Sequence, residues 1–167
     1  MRFAYADPPY LGLAAQFYGD ATYDSLEAHA ALLSRLDAEF PAWAYSLHVP
    51  SLKALMPLLP EGARVAAWCK TWASFKPGVD PAYCWEPMFF RTARKWSRQG
   101  TTARDFIATP IATEKGFKGA KALRFCVWMF DLLGATPDDD FVDLFPGSGA
   151  VGRAWETYRA QRALGVG

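Results

Sequence analysis

Along this chain the spacing of apolar positions switches between strand-like runs and helical stripes, and the switches mark its elements. Arg2 to Ala6 (RFAYA) is a short, mostly apolar run that reads as a buried strand. It stops at Asp7-Pro8-Pro9-Tyr10, because each proline fixes φ and neither ring nitrogen can donate a hydrogen bond. Asp24 or Ser25 is the candidate N-cap of a helix with Glu27 in its first turn and an apolar stripe of Leu26, Ala30, Leu33 and Leu36 or Leu32, ending near Phe40 before Pro41. Trp43 to Val49 predicts a second strand, Ser51 caps a short helix that closes near Pro60, and Arg64 to Thr71 predicts a third strand. Residues 75–83 read as a loop and residues 84–93 as another strand, whereas residues 95–117 are polar, basic and too long for a routine connector. Lys118 to Leu133 returns to helical spacing, with Leu123, Val127, Phe130 and Leu133 on one face and Gly134 as its stop. The last element, from Asp138 on, is a strand, a glycine-rich turn and a helix. Alternation of this kind, with short connections, predicts an α/β fold with a mostly parallel sheet covered by helices.

The length of 167 residues, with 51% hydrophobic and 21% charged residues, fits one domain with its own core. Neither a signal peptide nor an apolar run of membrane-spanning length is visible, which leaves a cytoplasmic protein as the expectation. Cys69, Cys84 and Cys126 are widely spaced, and His29 and His48 are isolated, so no disulfide framework and no metal site is expected. The net charge of +1 conceals an uneven distribution. Residues 1–90 carry 6 Lys/Arg against 9 Asp/Glu, residues 91–124 carry 9 against 2, and residues 125–167 carry 3 against 6. A contiguous basic patch would attract phosphates, while a solvated surface would need no partner.

Two motifs carry chemistry. FVDLFPGSGAVG sets Gly147, Gly149 and Gly152 in a G-x-G-x-x-G spacing after a strand and at the opening of a helix, which suits a nucleotide-type cofactor. A dinucleotide fits poorly, since the acid expected about 20 residues further on is missing and Glu156 is the only acid after the turn. The second motif is Asp7-Pro8-Pro9-Tyr10 itself.

Together these motifs resemble the S-adenosylmethionine-dependent methyltransferases that modify adenine N6 or cytosine N4 in DNA. Their signatures are D/N/S-P-P-Y/F/W after one strand and D-x-F-x-G-S-G after another, matched here by residues 7–10 and by Asp143 to Gly149. The order, catalytic motif first and cofactor motif last, is similar to the permuted β-group of these enzymes and to the eukaryotic RNA adenosine methyltransferases. Many members begin the helix before the cofactor strand with Lys-Pro; Lys121-Ala122 stands there, so only the lysine carries over. The resemblance implies a Rossmann-like methyltransferase sheet with helices on both faces and circularly permuted motif order. It implies that Asp7 and the Pro8 carbonyl, held facing away from the sheet by the Pro8-Pro9 turn, accept the two N–H bonds of the target amine, freeing its lone pair, and that Tyr10 stacks on the base. It further implies that Asp143, Phe145, Gly147 and Gly149 line the methionine end of S-adenosylmethionine with Lys121 close by, while Ser148 and Gly152 shape the turn.

In the permuted order, residues 91–120 fall where such enzymes carry a target-recognition insert, which makes Arg91, Arg94, Lys95, Arg98 and Arg104 candidate DNA phosphate contacts. Trp96 is a stacking residue or a packing residue, and Glu86 lines the pocket or belongs to a turn. Complete members continue past the cofactor motif through a strand whose terminal acid holds the ribose. Here one helix follows, so that strand is expected to be absent, and a second copy or a partner chain is expected to cover the exposed sheet edge. Three readings follow: an amino-methyltransferase acting on adenine N6 in DNA, with cytosine N4 as its sibling; the same chemistry on RNA or a protein amide; and a catalytically silent nucleic-acid-binding or partner subunit.

Overall fold

The computed structural model describes residues 1–72, 77–94, 103–111 and 121–165. In chain order they form β1 (Arg2–Ala6), α1 (Ala14–Tyr18), α2 (Leu26–Glu39), β2 (Ala42–Ser46), α3 (Val49–Leu55), β3 (Arg64–Cys69), β4 (Trp85–Arg91), β5 (Phe106–Ala108), α4 (Leu123–Leu132), β6 (Asp140–Asp143) and α5 (Ala150–Ala163). The sheet order is β5-β3-β4-β2-β1-β6. β1 runs parallel to β2 and β6, β3 runs parallel to β5, and among the described strands only β4 is reversed, pairing antiparallel with both β2 and β3. The mostly parallel sheet expected from the alternation is therefore present, with β4 inserted between β2 and β3.

β1 and β2 are buried on both faces, and their register explains how two aromatic-rich strands fit side by side. Phe3 faces Ala42, Ala4 faces Trp43, Tyr5 faces Ala44 and Ala6 faces Tyr45, so every cross-strand pair joins a large side chain to a small one. On one face Phe3 and Tyr5 join Phe125 and Phe130 of α4 and Trp155 of α5. On the other, Trp43 and Tyr45 join Leu33 and Leu36 of α2 and Leu55 of α3. Helices cover both faces, and no helix among the described residues is long and apolar enough to cross a membrane.

Several boundaries differ from the sequence pattern for local reasons. Ser25 caps α2, accepting from the Ala28 N–H at 3.2 Å. Asp24 instead accepts from Ala14 and Ala15 at 2.7 and 2.9 Å, supporting α1, a helix the apolar pattern does not show. The buried face of α2 is His29, Leu32, Leu33 and Leu36, which turns Leu26 outward. β2 stops at Ser46 rather than Val49, and α3 begins at Val49, ahead of Ser51. Among the described residues α4 begins at Leu123, itself exposed, and buries Phe125, Cys126, Trp128, Met129, Phe130 and Leu132. β5 is a strand that the pattern left inside the polar segment.

A buried acid ties the start of β6 to the end of β4. Asp139 accepts from Arg94 Nη2 at 2.8 Å, from the Thr136 N–H at 2.7 Å and from the Met1 amino group. Burial alone would raise its carboxyl, but these hydrogen bonds hold it well below the usual carboxylate range. A depressed folded-state value means that the stabilisation is present above the ordinary value of 3.8 and fades as the pH falls below it. Asp139→Ala is expected to cost about 3 kcal/mol in denaturant unfolding at neutral pH, the low end for a broken buried pair because Arg94 is partly in water. The gap to wild type should narrow in acid.

Candidate active site at the carboxyl ends of β1 and β6

Because β1 and β6 are parallel neighbours with Tyr5 facing Asp143, both chains leave the sheet at the same end, and the Leu144 N–H still donates to the Tyr5 carbonyl at 2.9 Å. Asp7 and Asp143 therefore emerge side by side. The double proline turns β1 out of the sheet without offering an N–H that would need a partner, with Pro8 buried and Pro9 half-buried. The turn closes with the Leu13 N–H donating to the Tyr10 carbonyl at 2.9 Å.

Lys121 sits immediately before α4, its side chain only 5% exposed and its Nζ 3.2 Å from Asp7 Oδ2. The same ammonium lies 3.4 Å from Glu86 Oε2 and over the rings of Trp68 and Phe125 at 5.7 and 5.8 Å. Glu86 also pairs with Lys70 and lies 3.5 Å from the Tyr10 hydroxyl. This bridge exists because β3 and β4 are antiparallel neighbours with Cys69 facing Trp85, which sets Lys70 and Glu86 together at the site end. Two acids and two lysines make the cluster neutral. Burial would lower the Lys121 ammonium, but Asp7, Tyr10, Tyr5 and Glu86 hold it well above its usual value, so it stays charged. Burial raises Asp7, opposed by Lys121 and reinforced by Glu86. Burial alone would raise Glu86 as well, yet the two lysines leave it lowered.

The glycine turn is built tightly. The Gly149 N–H donates to the Pro146 carbonyl at 2.6 Å, and Arg153 Nη1 donates to the Ser148 carbonyl at 2.9 Å. Gly147 and Gly149 have φ of +47° and +75°, and a Cβ on Gly149 would also lie 3.2 Å from Arg153 Nη1. Gly152 carries no such demand; it lies inside α5, so the turn is shaped by residues 146–149. Asp143 Oδ1 accepts from the Phe145 N–H at 3.2 Å, and burial raises its carboxyl.

Two carboxylate oxygens are left over. Asp7 Oδ1 and Asp143 Oδ2 are both buried and have no hydrogen-bond partner among the described residues. A buried acceptor of this kind carries its full desolvation cost, which a bound N–H donor removes. Asp143 Oδ2 is an acceptor that fits the ammonium of a methionine-type cofactor, and the glycine turn at the amino end of the 14-residue α5 is a setting that fits its carboxylate.

The basic candidates are placed elsewhere. Arg91 faces Trp43 near the start of β2, away from the end where Asp7 emerges, and pairs with Asp37. Arg94 is engaged with Asp139 and the Gly134 carbonyl, and Arg104 lies exposed before the incoming end of β5. Lys95, Trp96 and Arg98 lie outside the described residues. Of the sequence candidates, the structure brings Asp7, Tyr10, Lys121 and the 143–149 turn to one end of the sheet, and it resolves Glu86 as part of their cluster. Lys70 and His48, whose ring stacks on Tyr10, were not legible as site residues.

No family model matches the chain, and no curated protein matches its sequence. Solved structures similar in fold include two of one protein. The M1.HpyAVI–SAM complex gives a TM-score of 0.62 at 17% identity over 95% of this chain and 78% of that chain. M1.HpyAVI alone gives 0.60 at 15% identity over 95% of this chain and 76% of that chain. The six-stranded, mostly parallel α/β sheet with helices on both faces is the fold this chain shares with these two structures.

Proposed function

We propose that this protein transfers the methyl group of S-adenosylmethionine to the exocyclic amino group of a base in DNA, with adenine N6 as the target. The observation that carries this reading is the pair of unpartnered buried acceptors, Asp7 Oδ1 and Asp143 Oδ2, at adjoining strand ends. One suits the amine to be methylated and the other the amino group of the cofactor. The fold shared with M1.HpyAVI, itself solved with SAM, supports the same assignment.

An aromatic amine is a poor nucleophile because its lone pair is delocalised into the ring. Asp7 Oδ1 and the Pro8 carbonyl accept its two N–H bonds, which favours a more tetrahedral nitrogen with a directed lone pair. Burial strengthens Asp7 as an acceptor, while Lys121 holds it ionised and in place. Tyr10 stacks on the base. When bound, S-adenosylmethionine supplies a sulfonium methyl group, and Asp143, Phe145, Gly147 and Gly149 hold its methionine end. Catalysis is then positioning and electrostatics, without a covalent intermediate. Adenine is favoured over cytosine because aspartate leads the motif, where the resembling cytosine enzymes often have serine. The whole chain acts as one domain with residues 91–120 as its target-recognition insert, to which Arg91 and Arg94, held by Asp37 and Asp139 away from Asp7, add no contact, and the outer edge of β6 is where a second copy would add.

The test is transfer of labelled methyl from S-adenosylmethionine to unmethylated DNA and, separately, to RNA, followed by digestion to nucleosides. Labelled N6-methyladenine from DNA is the expected product. Label only in RNA or protein moves the substrate, N4-methylcytosine moves the base, and no label with intact cofactor binding returns the chain to a silent subunit.

A further inference from the structure

We infer that His48 is a positioning residue for the target base, fixing the plane of Tyr10 from behind. The role presupposes the methyl-transfer reading above and adds a residue to it. β2 ends at Ser46, the Leu47 N–H donates to the Pro87 carbonyl at 3.2 Å, and His48 follows at the site end of the sheet between β1 and β4. Its imidazole lies parallel to the Tyr10 ring, with 4.9 Å between centroids and 2° between planes, an offset stack.

The imidazole is itself clamped. Its Nδ1 is 2.7 Å from Ser51 Oγ, the Ser51 N–H donates to the His48 carbonyl at 3.0 Å, and Ser51 is buried. Tyr10 leaves a proline turn and is held at its hydroxyl by Lys121 and, at 3.5 Å, by Glu86, contacts at the rim that alone would let the ring pivot. Among the described residues, His48 is the one ring stacked on Tyr10. With one face of Tyr10 covered, the opposite face is the one a base can stack on, and its orientation is set before the base arrives. Base stacking then costs little ordering of the tyrosine, the usual gain from preorganisation.

The experiment compares wild type, His48→Ala and His48→Phe in methyl transfer to fragments of unmethylated genomic DNA, with cofactor binding measured by calorimetry. In His48→Ala the KM for DNA should rise about three- to tenfold, the value of one aromatic pair, with kcat at saturating DNA and the cofactor Kd changing by less than about twofold. His48→Phe keeps a ring behind Tyr10 but not the Ser51 contact, and should restore KM to within about twofold of wild type. An unchanged KM in His48→Ala overturns the role, as does a His48→Phe enzyme as impaired as His48→Ala. A wild-type enzyme that binds cofactor but methylates no nucleic acid overturns the methyl-transfer reading and this role with it. An active wild type with an indifferent His48→Ala overturns this role alone.

Discussion

Asp7→Ala is expected to lower kcat by about 10³-fold while leaving the Kd for S-adenosylmethionine within a few-fold of wild type. The carboxylate stands at the end of β1, held by Lys121 through Oδ2, and its other oxygen has no partner among the described residues. That oxygen is useful only to a ligand, so its removal strikes the step in which the amine must offer a lone pair. Folding should suffer far less. Burial raises the Asp7 carboxyl, so holding it ionised costs stability at neutral pH instead of adding to it. In Asp7→Asn the relief of that cost offsets the loss of the Lys121 pair, and unfolding should stay within about 1 kcal/mol of wild type. The sign extends to pH. Asp7 accepts an N–H only when ionised, so kcat/KM should fall on acidification with a midpoint above the usual carboxylate range. Steady-state kinetics with thermal unfolding on the same samples decides the matter. An Asp7→Ala enzyme that keeps a tenth of wild-type turnover removes Asp7 from the reaction.

Asp143→Ala should produce the complementary defect, weakening S-adenosylmethionine binding by about 10- to 150-fold, the value of one hydrogen bond to a charged group. Asp143 Oδ1 is occupied by the Phe145 N–H, which sets the side chain, and the unpartnered Oδ2 is the oxygen offered to a ligand. At saturating cofactor, kcat should recover to within about tenfold of wild type, because Asp7, Lys121 and Tyr10 are untouched. Calorimetric titration checks this directly. If cofactor binding survives Asp143→Ala unchanged, the glycine turn after β6 is a structural strand-to-helix turn, and the cofactor site must be sought elsewhere. The two variants together separate the two acids: one acts on turnover, the other on binding.

Features that depend on a few adjacent residues were legible without the structure. β1 spans Arg2–Ala6 because two prolines follow it, Ser25 caps α2, and the turn after β6 needs Gly147 and Gly149 at positive φ. Each is decided by sterics or by a hydrogen bond within a few positions, so the sequence contains the whole cause. Helix faces were less legible. Leu26 and Leu123 satisfied the helical period but point outward, because the burial of a stripe depends on which side of the helix meets the sheet.

Strand neighbours were not legible at all. β4 inserts, reversed, between β2 and β3, and that one pairing joins Glu86 to Lys70 and brings both to Lys121, across stretches of 16 and 35 residues. The same reversal carries Arg91 to the far end of the sheet, so a basic run that is continuous in the sequence is divided in space. Sequence by itself determined the two motifs, their order and the turns that end β1 and β6, since these are local chemistry. Only the tertiary structure decided which charges share a site, because pairing between strands is settled by the burial of both sheet faces at once, and no local signal encodes it.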